Sequence, residues 1–287
     1  MRNWWILIKE RFSPASYIPM ILLFTGANAL YLCKATDNEW HWLRFIAVFA
    51  LLLSFFFRMR LFDEIKDYEV DLKVNPTRPL ARGILSVAQV KKALLLLIVF
   101  ELILAGCLGL SAFLIHAMAI GYSLLMYEEF FIGDLLRPHL TTYAVTHTFV
   151  SVLLALSAGI AMSGTDPFQI TTKHLVFFLM NWAFFNLFEF ARKTFAPEEE
   201  RPHVPSYSNI FGIYGAWALS ISQALIGVAL VWVTKSHVLL MILLFLYFLA
   251  TLPYIINKTK KTASFFRNVS GLYLLCHYIA VIYILGA

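Results

Sequence analysis

Three aspartates recur at equal intervals in one short charged stretch: Asp63, Asp67 and Asp71. In a helix, a step of four residues overshoots one turn by only about 40°, so the three line a single stripe. Glu64 and Arg60 fall within the same arc of roughly 100°. Carboxylates at this spacing repel one another by about a few tenths of a kcal/mol per pair. A bridging multivalent cation removes that cost. Hard oxygen donors suit Mg²⁺, which takes one or two carboxylates and completes its shell with water and substrate phosphates. The plainer reading is a solvated charged helix in which Lys66 and Lys73 balance the acids.

The elements that must hold this stripe are membrane helices. Of 287 residues, 60% are hydrophobic and 14% are charged, far from the roughly 25% charge of soluble domains. Nine apolar runs follow one another, at 16–33, 42–57, 88–108, 110–126, 143–162, 175–190, 211–233, 238–256 and 268–285. Each is near the length that crosses a hydrocarbon core, and none alternates with period two. The expected fold is all-α: a polytopic membrane protein, one domain over residues 1–287. The weakest boundary lies between the third and fourth runs, marked only by Gly106, Gly109 and Ser111. The first run is expected to be a retained helix and not a signal peptide, since no small-residue cleavage site follows it.

Basic residues orient the chain. With the N-terminus in the cytoplasm, nineteen of the 23 Lys and Arg fall on that side and four on the other. The C-terminus is then outside. The same asymmetry accounts for the net charge of +6, so nucleic acid is not an expected partner. Cys33, Cys107 and Cys276 are too scattered for a zinc site or a disulfide framework. Thirteen of the seventeen acids also fall on the cytoplasmic side, which charge orientation does not require. The stripe thus sits where the second run leaves the bilayer, a place suited to a diphosphate head with an apolar tail.

The stretch continues Asn75-Pro-Thr-Arg78-Pro79-Leu-Ala-Arg82-Gly83. Taken together, the chain resembles the UbiA superfamily of intramembrane prenyltransferases. Their first signature, NDxxDxxxD, matches Asp63-Glu64-x-x-Asp67-x-x-x-Asp71, with Asp63 for the leading Asn and Glu64 for the first Asp. Their N-x-x-R-P-x-x-x-G segment matches residues 75 to 83. The resemblance implies nine helices around a central cavity and Mg²⁺ held by Glu64, Asp67 and Asp71, with Asp63 alongside. It implies a prenyl diphosphate substrate, with Arg78 near the phosphates and Arg60 and Lys66 as further cations for them. The second signature, a DxxxD-like pair, falls on Asn186-x-x-Glu189-x-x-Arg192-Lys193 and departs from the pattern. Glu189 stands for the first Asp, and Lys193 occupies the place of the second. Asn186 and Glu189 could hold a second Mg²⁺, or Lys193, with Arg192 beside it, could meet the diphosphate directly. Relatives often carry a Lys/Arg pair after the fourth helix; here Tyr127-Glu128-Glu129-Phe130 stands instead, and Arg137 is the nearest cation.

The implied chemistry is ionisation of an allylic diphosphate, with Asp67, Asp71, Glu189 and Lys193 as the residues closest to it. Capture by an aromatic or other lipophilic acceptor makes a prenyltransferase; capture by a distal double bond makes a terpene cyclase. A cation transporter would place acids near the bilayer midplane, and only Glu101 lies there. A CDP-alcohol phosphotransferase would need an Asp-Gly pair that the loop lacks. Glu101, His147, Asn181, Asn186, His277 and Tyr278 lie within apolar runs; interhelical hydrogen bonds are their expected role. Glu198 to Glu200 after Pro197 read as an exposed acidic loop. Short loops point to a prokaryotic plasma membrane.

Overall fold

The computed structural model describes residues 2–201 and 204–286. They form helices and connecting turns, with no strand among the described residues. The chain divides into two compact units, one of residues 1–130 and 157–167, the other of residues 131–156 and 168–287.

The first unit opens with a short amphipathic helix, α1 (Arg2–Arg11), and continues through α2 (Pro14–Ala35) and α3 (Trp42–Lys66). A one-residue break leads into α4 (Tyr68–Val74), followed by α5 (Val87–Leu108) and α6 (Leu110–Tyr127). Pro14 starts α2, where the missing N–H costs nothing. Ser86 starts α5 through a reciprocal cap: its hydroxyl accepts from the Gln89 N–H at 3.2 Å, and the Gln89 side chain accepts from the Ser86 N–H at 2.9 Å. The weak boundary between α5 and α6 falls at Gly109, whose φ of +124° and ψ of 163° only glycine adopts without strain.

The interior of this unit holds a charged network. Arg58 and Glu101 are both fully buried, with Arg58 Nε 3.0 Å from Glu101 Oε2. Ser54 donates to Glu101 at 3.1 Å, and Arg58 Nη1 donates to Ser123 at 2.9 Å. His116 Nε2 lies 3.6 Å from the same carboxylate, and its Nδ1 meets Ser157 at 2.9 Å. Arg58 therefore does not belong to the cytoplasmic loop where the basic count put it. Its charge is matched inside α3, α5 and α6, as a charge at membrane depth requires.

In the second unit a short α7 (Gly133–Leu136) leads to α8 (Leu140–Thr148) and α9 (Val150–Ser163), whose residues 157–163 belong to the first unit. The long helices α10 (Thr172–Arg192), α11 (Tyr207–Thr234), α12 (Val238–Asn257) and α13 (Lys260–Gly286) complete it. Helix α10 packs on both α11 and α13. The close approach to α11 depends on Gly227, where an added Cβ would stand 2.6 Å from the Phe184 ring. Asn181 and Tyr278 join α10 to α13 through a 2.8 Å hydrogen bond, as expected of intramembrane polar groups. His277 differs: it is fully buried, its ring tilted against Phe184 with centroids 4.1 Å apart, and neither ring nitrogen has a partner among the described residues.

Eight of the described helical segments are long and apolar enough to cross a membrane, with α8 and α9 together making one. The ninth expected span is α5, of 22 residues, which carries Lys91, Lys92 and Glu101.

Candidate active site

The acid stripe forms at the end of α3. Asp67 closes α3 and opens α4 with near-helical angles, φ −84° and ψ −4°. The four-residue hydrogen bonds run on through the break: Asp67 N–H to Asp63 O at 2.9 Å, Asp71 N–H to Asp67 O at 2.8 Å, and Asn75 N–H to Asp71 O at 2.9 Å. The carboxylates keep helical register, but their surroundings differ. The side chains of Asp63 and Asp67 are 55% and 52% exposed, whereas that of Asp71 is 5% exposed and that of Glu64 fully buried.

Each acid is held by an arginine or an amide. Arg78 Nη1 donates to Asp71 Oδ2 at 2.5 Å and lies 3.5 Å from Asp67. Asn75 Nδ2 donates to the other Asp71 oxygen at 3.0 Å. Arg60 reaches Asp63 at 3.2 Å and Glu64 at 3.6 Å. Glu64 also accepts from Arg11 of α1, a partner that sequence reading missed because 53 residues separate them. Lys66 pairs with Glu129 at 2.6 Å. Glu129 is buried and begins a run of three positive φ angles, 50°, 55° and 58° at Glu129, Phe130 and Phe131.

The donor chemistry suits Mg²⁺, since every candidate ligand is a hard oxygen. The geometry described is that of arginine-held carboxylates: among the described residues no three His, Cys, Asp or Glu side chains converge on one point. Glu64 Oε2 is the one orphaned, buried carboxylate oxygen of the stripe.

In the second unit, Asn186 is buried. Its Oδ1 accepts from Thr148, and its Nδ2 donates to Gln223 at 3.4 Å. It ties α8, α10 and α11 together. Glu189 accepts from Arg192 and lies 3.0 Å from Lys193 Nζ. The Lys193 carbonyl accepts from the Tyr207 N–H at 3.0 Å. Arg137 is exposed and sits 4.0 Å from Asp134.

In the acidic run after Pro197, Glu198 is exposed as expected, whereas Glu199 and Glu200 are half-buried and held by specific partners. Arg267 grips Glu199 with two nitrogens, at 2.7 and 3.0 Å, and donates to the Thr194 carbonyl at 2.9 Å. This pairing holds the Glu199 carboxyl below its usual pKa. Glu200 accepts from Ser206 and Ser208 at 2.6–2.8 Å, and Glu198 accepts from the first N–H of α13 at 2.5 Å.

A model of the UbiA prenyltransferase family matches residues 20–272. The chain belongs to that family. It is therefore an integral, multi-pass membrane protein of a prenyltransferase family. No curated protein matches it in sequence at a significant level. Its fold is shared by solved structures that include the following three. A digeranylgeranylglyceryl phosphate synthase aligns over 100% of this chain and 99% of its own, with 16% identity and a TM-score of 0.63. A UbiA homologue from Aeropyrum pernix K1 aligns over 91% and 97%, with 15% identity and a TM-score of 0.61. A UbiA homologue from Archaeoglobus fulgidus, bound to GPP and Mg²⁺, aligns over 98% and 99%, with 16% identity and a TM-score of 0.57.

Proposed function

We propose that this chain is a Mg²⁺-dependent enzyme that ionises a prenyl diphosphate and transfers the prenyl group to an aromatic or other lipophilic acceptor. The observation that carries the reading is the Asp67–Asp71–Asn75–Arg78 cluster, where α4 and the turn after it bring oxygen donors and a guanidinium together. The Archaeoglobus homologue's bound GPP and Mg²⁺ support it by analogy.

Asp67 and Asp71 would hold Mg²⁺, with Asp63 at the exposed rim. The ion would supply positive charge to the leaving diphosphate as its C–O bond breaks. Arg78 occupies the carboxylates and has the planar fork that grips phosphate oxygens. It would move from Asp71 to the diphosphate as substrate arrives. In the second unit, Lys193 and Arg192, both paired to Glu189, would be the candidate cations for a diphosphate, whereas Asn186, whose side chain already meets Thr148 and Gln223, would not hold a second Mg²⁺. The prenyl cation would be captured by a nucleophilic atom of the acceptor, which then loses a proton. The match from residue 20 to 272 supports treating both units as one catalytic domain. The basic count supports a cytoplasmic N-terminus, and the short loops support a prokaryotic plasma membrane.

The test is release of pyrophosphate by purified protein from a panel of prenyl diphosphates with Mg²⁺, with and without acceptors, followed by organic extraction. Release that requires an acceptor establishes transfer. A cyclic hydrocarbon or alcohol formed without one establishes a terpene cyclase instead. No release with any chain length and a broad acceptor panel removes the reading.

A further inference from the structure

Glu64 occupies the position of the first signature aspartate, yet its surroundings differ from those of Asp67 and Asp71. Its side chain is fully buried, and its Oε1 takes two guanidiniums, from Arg11 and Arg60. Arg11 is the last residue of α1, so Glu64 anchors the end of that helix. The same helix is tied to the far end of the site loop. Glu10 pairs with Arg82 at 2.6 Å, and Asn3 Nδ2 donates to the Ile84 carbonyl at 2.8 Å. Between these ties, fully buried Leu7 packs in one apolar cluster with Leu61, Phe62, Leu80, Leu85, Val90 and Leu94. Helix α1 thus spans from the start of the acid stripe to the residues just past Arg78 and Pro79. It fixes the two ends of the segment whose middle carries Asp67, Asp71 and Arg78.

We propose that Glu64 is a positioning residue and not a metal ligand: it latches α1 across the ends of the site loop, and α1 sets the spacing between Asp71 and Arg78. The proposal rests on the function proposed above only for its kinetic consequences; the latch itself is independent of it. A buried carboxylate already neutralised by two guanidiniums has little charge left for a cation. Its Oε2 is the single atom through which a metal could still be held, and the experiment is built around that atom.

Hydrogen exchange followed by mass spectrometry on Arg11→Ala, Glu64→Gln and the double variant, without substrate, reads the latch directly. Both single variants are expected to speed exchange in residues 2–11 and 79–85 by about tenfold, and the double variant by no more than either. Arg11→Ala leaves Glu64 in place, so a folding defect of Glu64→Gln does not remove the test; Arg11→Lys should restore slow exchange. Unchanged exchange in Arg11→Ala and Glu64→Gln overturns the latch, whatever the enzyme's substrate. In the pyrophosphate assay, both variants should lower kcat/KM by about tenfold while the Mg²⁺ concentration for half-maximal rate stays within about twofold. A rise of about tenfold or more in that Mg²⁺ midpoint for Glu64→Gln, absent from Arg11→Ala, makes Glu64 a ligand and overturns the positioning role.

Discussion

At the scale of single residues, what separates the candidate ligands is what each already touches. Asp71 is nearly buried, paired to Arg78 and braced by Asn75. Its removal frees Arg78 and deletes an oxygen donor together. Asp71→Ala should cut pyrophosphate release by at least about 100-fold, with no rescue by raised Mg²⁺. Arg78→Lys should recover little, because one ammonium cannot reproduce a planar fork on phosphate. Lys193 is a separable case. If it meets diphosphate as a fixed charge, Lys193→Ala should raise KM by about tenfold with a smaller change in kcat. Unchanged kinetics would return Lys193 to orienting the chain in the membrane. Glu199 gives a pH dependence. Its carboxyl is held low by the Arg267 fork, so it favours the folded state at pH values above the ordinary carboxylate range. That contribution fades as pH falls below about 4.3 and through the lower folded value. Glu199→Gln should therefore flatten the loss of thermal stability in acid, measured by unfolding of detergent-purified protein between about pH 6 and 3.

At the scale of elements, much was readable and some was not, for reasons of sequence distance. The apolar runs predict the long helices because bilayer thickness sets their length. The acid stripe predicts a continued helical register through Asp67 because its period of four is local. The pairs that lock these elements lie far apart in the chain: Arg58 and Glu101 are 43 residues apart, and Glu199 and Arg267 are 68 apart. No local pattern announces them. Arg58 reads as a loop cation because it follows a run of phenylalanines, and only packing of α3 on α5 reveals its carboxylate. That pair makes a sharp prediction about how α3 and α5 are held. Glu101→Ala leaves a buried guanidinium uncompensated and should cost about 3–5 kcal/mol of stability. Replacing both, Arg58→Met with Glu101→Leu, should cost less than either single change, read by thermal unfolding in one detergent. If the double variant is the least stable, the surrounding Ser54, Ser123 and His116 depend on the charges more than the charges depend on each other.

At the scale of the whole molecule, orientation decides whether the site can meet its substrate. A diphosphate carries several charges and does not cross a hydrocarbon core unaided, so under the proposed function the acid stripe must face the compartment in which prenyl diphosphates are made. The count of basic residues is the ground for expecting it in the cytoplasm, and two structural findings bear on that count. Arg58 leaves it, since its charge is matched in the interior. Arg44, one of the four cations on the opposite side, donates to the carbonyls of Ala161 and Leu108 at 2.6 and 2.7 Å, near the C-terminal ends of α9 and α5. Cations at helix C-termini are favoured by the helix dipole, so Arg44 has a local reason to be where it is. The asymmetry therefore survives both findings. In a variant lacking Cys33, Cys107 and Cys276, a cysteine placed at Asn38 should react with a membrane-impermeant thiol reagent on intact cells. One placed at Lys261 should react only after the membrane is opened. The reverse pattern would put the acid stripe outside, where no cytoplasmic prenyl diphosphate reaches it, and the proposed chemistry would lose its substrate before any residue of the site was tested.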